Sequence, residues 1–282
     1  MRVLETVALA ARGTGPLARR LADADAAMRR PVSTSRRVGV VQVDGGAGAT
    51  TTVAGSAAVL ARRRGGGVLA VDAARGPAAL GAALALDAPL PWTTDAASLH
   101  AGGGASRGSQ VRARLPHGPT GVAVLGDGSA SAPWPPDPQR WRELVDPVGR
   151  FFDVVLTDWG VRSDAETARV AAEHHVLVVA TRTERGPLER AVARAAAWAT
   201  APHAPAVVLL AVDVARTGDR DASLARAAGL TTLVVPHDAH LAARDPRTPT
   251  VPGTAVRTAW SDVAARLLAL ASDPGARLGV DA

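Results

Sequence analysis

Asp44-Gly45-Gly46-Ala47-Gly48-Ala49-Thr50-Thr51-Thr52 follows directly on the apolar run Val38-Gly39-Val40-Val41-Gln42-Val43. A short apolar run that feeds a glycine-rich loop reads as a buried parallel strand and a tight turn, with a helix predicted from about Thr51 to Arg64. The spacing approaches the phosphate-cradling pattern G-x-x-x-x-G-K-[ST], in which glycines give the backbone cradle and the lysine reaches the β/γ-phosphates. Position 49, where that lysine belongs, is alanine.

Working outward, Gly65-Gly66-Gly67 closes the helix and Val68-Leu69-Ala70-Val71-Asp72 reads as a second strand with an acid at its carboxyl end. Further strands are predicted over Gly121–Leu125, Phe152–Asp158, Val176–Ala180, Val207–Asp213 and Thr232–Val235, the last ending at Pro236. Helices are predicted over Pro138–Gly149, capped by Asp137, over Pro187–Ala199 and over Ala222–Ala228. A final helix from Thr254 to Leu270 spaces Val256, Trp260, Val263, Leu267 and Leu270 along one apolar face and is ended by Asp273-Pro274-Gly275. Residues 73–117 are poorly patterned, with helical fragments around Pro77–Leu86 and a flexible Gly102-Gly103-Gly104, and the proline-rich Ser129–Pro138 reads as a surface loop. The alternation predicts an α/β fold of P-loop NTPase-like (Rossmann-like) type: a mostly parallel sheet with helices on both faces.

A basic helical arm over residues 1–36 is expected to precede one domain over 37–282. The first 37 residues carry eight arginines against Glu5, Asp23 and Asp25, and Leu17, Leu21 and Ala24 mark a helix over 15–30 that Pro31 ends. Such a charge block is ordinarily solvated and partly disordered, with a membrane-surface or nucleic-acid contact as the alternative.

Composition bounds the chemistry. All 32 basic residues are arginine, because the chain has no lysine, and it also lacks Cys, Tyr, Ile and Asn. Without cysteine there are no disulfides, thiolates or Cys-ligated zinc, which permits a reducing compartment and makes the cytoplasm the expected location. No signal-peptide core and no membrane-spanning run is visible. A genome rich in G and C exchanges lysine for arginine, yet it does not explain alanine at position 49, where arginine was equally available.

Ligands of parallel α/β sheets bind beyond the carboxyl ends of the strands. Gly45–Thr52, Asp72, Asp158, Asp213 and His237-Asp238 all fall at such ends, so a single site is expected.

The order of these segments resembles the MinD/ParA family of P-loop ATPases, whose loop reads K-G-G-x-G-K-T-T where this chain has D-G-G-A-G-A-T-T. The likeness runs over roughly residues 37–271 and includes Phe152–Asp158 at the Walker B position and Val234-Val235-Pro236-His237-Asp238, similar to the family's V-P-x-D. It looks closest to MinD-like proteins of high-GC actinobacteria, some of which are associated with type VII secretion. The resemblance implies ATP or ADP with Mg as the cofactor. Gly45, Gly46, Ala47, Gly48, Ala49, Thr50 and Thr51 would lie around the phosphates, with Asp213, Pro236 and Asp238 around the base. Thr50 and Asp158 would hold Mg if nucleotide binds, and Thr51 would open the helix.

Three positions depart from the family in charge. Ala49 replaces the phosphate-binding lysine, Asp44 replaces the signature lysine that reaches across a nucleotide-sandwich dimer, and Ala74 replaces the second acid of D-x-D. After Asp158, Trp159-Gly160-Val161-Arg162 replaces the usual D-x-x-x-G. Losing a charge-assisted contact costs about 1.5–3 kcal/mol, and a carboxylate about 4 Å from a phosphate adds repulsion of order 4 kcal/mol at an effective dielectric near 20. The expected protein is therefore a degenerate, pseudo-ATPase member with no catalytic residues, a regulator or scaffold in secretion, partitioning or cell-envelope positioning. It would bind a protein partner or a second copy of itself, with weak or no DNA binding and no strong sign of peripheral membrane contact.

Two alternatives stay open. One is a nucleotide switch that keeps ATP and Mg binding with weak hydrolysis, Arg75 or Arg162 standing in for the lysine. The other is an NAD-binding Rossmann enzyme, since Gly46–Thr51 approximates G-x-G-x-x-G and Asp72 stands where a ribose-binding acid would. A DNA-binding module using Arg185, Arg190 and Arg194 lacks a base-reading motif. His237-Asp238-Ala239-His240 and His174-His175 read as structural rather than metal-binding. The tryptophans are expected in packing, with Trp159 also able to fill a vacated nucleotide pocket.

Overall fold

The computed structural model describes residues 15–74, 79–86, 108–126, 136–201, 204–218, 225–226, 228–243 and 251–273. Outside them lie residues 1–14 of the expected arm, Arg75, Gly102-Gly103-Gly104, residues 129–135 of the proline-rich loop and most of the helix expected over Ala222–Ala228.

Seven strands form one parallel sheet in the order β3-β2-β4-β1-β5-β6-β7. They are β1 (Arg36–Gln42), β2 (Val68–Asp72), β3 (Ala123–Gly126), β4 (Val154–Val161), β5 (Val176–Arg182), β6 (Ala206–Val212) and β7 (Thr231–Val235). The central strands are apolar runs of the kind a sheet covered on both faces requires, with β2 buried at all of its positions, whereas the edge strand β7 is fully buried only at Val235.

The helices described are α1 (Pro16–Arg29), α2 (Ala49–Arg63), α3 (Ala79–Ala83), α4 (Gly108–Arg114), α5 (Pro138–Gly149), α6 (Asp164–Ala172), α7 (Arg185–Ala199), α8 (Ala239–Ala242) and α9 (Thr254–Ser272). Strand alternation divides the core between the two faces. Val38, Val40, Val154, Leu156, Val176 and Val178 pack with α1, α2, α3 and α9. Val41, Val155, Trp159, Leu177 and Val179 pack with α4, α5, α6 and α7. Two helix starts follow sequence rules closely. Asp137 accepts the Arg140 amide at 2.8 Å, and Ser163 with Glu166 forms a capping box.

The N-terminal helix differs from a solvated arm. Its Ala24 and Met28 are buried in the core cluster shared with α2 and α9, and Arg20 pairs with Asp262 of α9. Met28 alone, fully enclosed, contributes about 1.5–3 kcal/mol. Only Ala24 of the expected stripe docks, together with Met28, whereas Leu17 at 50% and Leu21 at 37% exposure stay outside with the arginines. Among the described residues, no helix is long and apolar enough to cross a membrane.

Strand β4 also runs further than expected, through Asp158 to Val161. The register with β1 slips between Val40 and Val41, and Gly160 takes φ +64°, so glycine allows the extra residue opposite the slip.

Candidate functional site

The glycine loop leaves β1 at the sheet's carboxyl edge. Gly46 and Gly48 both adopt left-handed φ, +74° and +71°. At Gly48 a side chain would also collide, since a Cβ would stand 2.9 Å from Val212 Cγ1 of β6. Gly48 caps α2, so the helix opens at Ala49 rather than at Thr51. The left-handed cap turns the chain sharply enough to begin the helix two residues early, and Thr52 Oγ1 donates back to the Gly48 carbonyl at 3.0 Å.

Ala49 is therefore the first helical residue, and it is 1% exposed, its methyl part of the α2 core face. Beside it, Thr50 Oγ1 donates to Asp158 Oδ2 at 2.5 Å. The other carboxylate oxygen, Oδ1, accepts the Gly160 amide at 3.0 Å. Asp72 lies in register with Asp158 on the adjacent β2 and accepts the amides of Ala74 and Leu80, both at 3.2 Å. Burial, followed by the charge of Asp158, pushes Asp72 up to about 6. Burial also raises Asp158, against the lowering effect of the Thr50 hydroxyl, the Gly160 amide and Arg162. The acid edge is thus two enclosed carboxyls held by hydroxyl and backbone donors.

Asp44 does not point an unpaired carboxylate at the loop. Arg190 Nη2 of α7 meets its Oδ2 at 2.7 Å, a link between segments 146 residues apart. Arg162, one of the two arginines expected to replace the missing lysine, is buried on the Asp158 side of the site. It donates to the Ala73 carbonyl at 2.7 Å and its guanidinium lies 5.4 Å from the Trp159 ring. The stripe on α7 is charge-compensated as well, with Arg185 on Glu189 at 2.7 Å and Arg194 against Asp164 at 3.3 Å.

A cavity of about 310 Å³ opens over the ends of β6 and β7. Of the expected site residues it brings together Gly46, Gly48, Thr51, Asp213, Pro236 and Asp238, while Gly45, Ala47, Ala49 and Thr50 are not part of its lining. Val212, Leu241 and Trp260 complete an apolar wall that sequence reasoning did not assign to the site. Trp260 reaches this wall because Gly55 on α2 faces it without a side chain, and a Cβ there would stand 2.1 Å from the indole.

The two carboxylates of this cavity serve the backbone. Asp213 accepts the amides of Thr217 at 2.9 Å and Gly218 at 3.0 Å. Asp238 caps α8 through the His240 and Leu241 amides and also binds the Gly253 amide at 2.6 Å. Burial alone would raise Asp238, yet these amide bonds and His240 bring it below the usual carboxylate range. Among the described residues no group of three His, Cys, Asp or Glu could hold a metal.

Two expectations need correcting. Trp159 does not fill the nucleotide pocket, because strand alternation turns it to the opposite face, 5.7 Å from Trp141 and 5.9 Å from His174. Burial pushes the His174 imidazole down to about 4, so this aromatic cluster holds a neutral ring. The ribose-binding role considered for Asp72 fails too, since it is 7% exposed and committed to the Ala74 and Leu80 amides.

For the group implied by the resemblance, the residues fit unevenly. The Gly46–Thr52 turn has the shape of a phosphate cradle, and Thr50 with Asp158 is a donor set of the type that holds Mg through hydroxyl and carboxylate. The cation that would meet the β/γ-phosphates is missing at Ala49.

No protein-family model and no curated protein matches the chain. Solved structures do. A ParA family ATPase from Chlorobium tepidum TLS is similar at a TM-score of 0.59 and 17% identity, over 72% of this chain and 84% of that one. The septum site-determining protein MinD complexed with Mg-ADP from Pyrococcus horikoshii OT3 gives 0.58 and 18%, over 82% and 94%. A chain of the MinC:MinD cell division protein complex of Aquifex aeolicus gives 0.57 and 16%, over 83% and 96%. At such identities the likeness speaks to architecture, and together with the glycine loop between β1 and α2 it establishes that the chain has the MinD/ParA-like P-loop fold.

Proposed function

We propose that this protein is a pseudo-ATPase of MinD/ParA type that acts in the cytoplasm through protein contacts, as a regulator or scaffold in partitioning, secretion or cell-envelope positioning. The observation that carries this reading is Ala49. It is a buried methyl at the position where phosphoryl transfer needs a cation, and Arg162 is committed to Ala73 and Trp159. Phosphoryl transfer relies on positioning and on electrostatic stabilisation of charge spread over the γ-phosphoryl oxygens. Gly46, Gly48, Thr50 and Asp158 supply shape and a metal-ligand set, but no compensating charge.

Protein contact as the output is supported by the fold's occurrence in the MinC:MinD complex, where a chain of the same architecture has a protein partner. A nucleotide switch is the second reading, favoured by the left-handed Gly46 and Gly48 that keep the loop open as an anion cradle.

The test is calorimetry and phosphate release with ATP and ADP, with and without Mg, on the wild-type chain and on Ala49→Lys/Asp44→Lys. The reading expects no turnover by the wild type and a gain in ATP affinity on restoration. Turnover by the wild type would overturn it. Unchanged affinity in a folded double variant would show that the loop is not a relic of an ATP site.

A further inference from the structure

We infer that the cavity at the amino edge of the sheet, between the start of β1 and the ends of α5 and α6, is a second binding site that takes a phosphate monoester of a small hydroxylated molecule. This edge is opposite the glycine loop, and the inference goes beyond the pseudo-ATPase reading without depending on it. The cavity measures about 630 Å³, within the range of about 300–1,000 Å³ usual for organic ligands. Ser33, Thr34, Arg37, Arg150, Glu173 and His175 give it a polar lining.

The first argument is charge. Glu173, the carboxylate of the lining, meets Arg142 Nη2 at 2.6 Å. Asp146 of α5 stands four residues before Arg150 and is the acid that could have paired with it, yet its Oδ1 lies 2.7 Å from Arg37 Nη2. Arg150 therefore has no carboxylate partner among the described residues, and its guanidinium lies 4.8 Å from the Phe151 ring. Burial keeps the His174 imidazole neutral. Each acid at the cavity is matched to its own arginine, and Arg150 is the surplus cation. An anion that enters gains a charge-assisted contact without meeting an unpaired carboxylate.

The hydrogen-bonding groups give the second argument. Arg37 is held from two sides, by Asp146 and by the Trp141 ring 5.5 Å away, and its five-donor fork has more N–H groups than Asp146 engages. His175 Nδ1 accepts the Arg37 amide at 3.1 Å, so the ring proton lies on Nε2, which is a donor. Ser33 and Thr34 are exposed, with no hydrogen-bond partner among the described residues. Ser35 Oγ donates to the Gly149 carbonyl at 3.0 Å, which ties this run of hydroxyls to the turn that carries Arg150. Guanidinium forks match phosphate oxygens, and hydroxyls that donate and accept match those of a sugar or polyol. Apart from its two histidines the described lining has no ring on which a base could stack, which favours a hydroxylated body over an aromatic one.

Glucose 6-phosphate, glucose and inorganic phosphate, titrated calorimetrically against the full chain, test this. Glucose 6-phosphate is expected to bind at submillimolar concentration, inorganic phosphate at least about tenfold more weakly, and glucose not detectably over the same range. Arg150→Ala, at an exposed residue without an acid partner, is expected to keep the unfolding midpoint and to weaken glucose 6-phosphate at least about tenfold. Arg190→Ala, at the opposite edge of the sheet, is expected to leave that affinity unchanged, which separates this site from the glycine loop. No binding of glucose 6-phosphate at millimolar concentration would overturn the inference, as would wild-type affinity in Arg150→Ala or a loss of affinity in Arg190→Ala. Inorganic phosphate bound as tightly as the ester would mark an anion site with no place for the organic part, and glucose bound as tightly would remove the role of the phosphate; either result overturns it too.

Discussion

The two flanks of the glycine loop have been treated differently. On the flank toward β4, Thr50, Asp158 and Asp72 all carry the residue types of a magnesium edge. On the flank toward the phosphates, positions 44 and 49 do not carry lysine. What separates the flanks is internal partnership. Thr50 and Asp158 hydrogen-bond each other at 2.5 Å, and Asp72 ties down the Ala74 and Leu80 amides. These residues have work in the fold whether or not a nucleotide binds. A lysine at 49 would have none, and the buried methyl found there packs into the α2 face. Retention of a Walker-type threonine and aspartate is therefore weak evidence of metal chemistry when the two satisfy one another.

If that account holds, the acid flank should behave as a structural element with a pH signature. Asp72 has its folded pKa raised to about 6 from 3.8. A raised carboxyl stabilises the native state relative to the unfolded chain below about pH 4 and loses that contribution as pH rises through about 6. The loss amounts to about 3 kcal/mol, and Asp158, raised in the same direction, adds to it. Urea denaturation of wild type and Asp72→Asn from pH 4 to 8 should show the difference moving in the variant's favour by about that amount. The amide loses one of the two backbone bonds, a constant offset that leaves the pH slope as the readout. A flat difference across the range would remove the buried acid pair from the comparison.

The cradle between the flanks comes next. Gly48→Ala forces an L side chain into φ +71° and toward Val212, and is expected to cost about 2 kcal/mol in thermal or denaturant unfolding. Thr50→Val keeps the shape and removes the hydroxyl that Asp158 accepts. A cost of about 1 kcal/mol is expected, at the low end for an orphaned buried acceptor, because the carboxyl keeps the Gly160 amide. No loss in Thr50→Val would mean that the threonine is retained for something other than the fold, and the case for metal binding would return.

Much of this was legible in the sequence, and the reasons differ by region. The strands read well because each is a bounded apolar run, and the P-loop fold followed from the glycine loop between Val38–Val43 and an amphipathic helix. Helix α6 was missed, although Ser163 and Glu166 carry the capping-box pattern that marks its start. The start of α2 at Ala49 was missed because it depends on Gly48 taking a left-handed cap, at a position where Val212, more than 160 residues away, also leaves no room for a side chain. The site's wall was missed for a similar reason. Trp260 sits on a helix face whose period says only that it is buried, not that Gly55 lets it approach the loop. Asp213 and Asp238 were read as ligand contacts from strand-end position, and their amide partners in the following turns could not be read from spacing alone. The pairing of Asp44 with Arg190 is invisible to any local rule, since it joins two surface charges across the fold.

That pairing makes the smallest but most discriminating prediction. Both side chains are substantially exposed, 33% for Asp44 and 55% for Arg190, so their ion pair is worth only about 0.2–1 kcal/mol and weakens with salt. Arg190→Ala should therefore barely change the unfolding midpoint. Its effect should appear instead in anion binding, because an unpaired Asp44 then repels any phosphate approaching Gly46 and Gly48. Pyrophosphate affinity, whatever its starting value, should fall in Arg190→Ala and recover in Asp44→Ala/Arg190→Ala. If the single variant binds pyrophosphate as the wild type does, Asp44 is remote from the cradle's field. The altered flank would then be reduced to Ala49 alone, with the proposed loss of phosphate chemistry resting on one deleted charge rather than on a deletion beside a reversal.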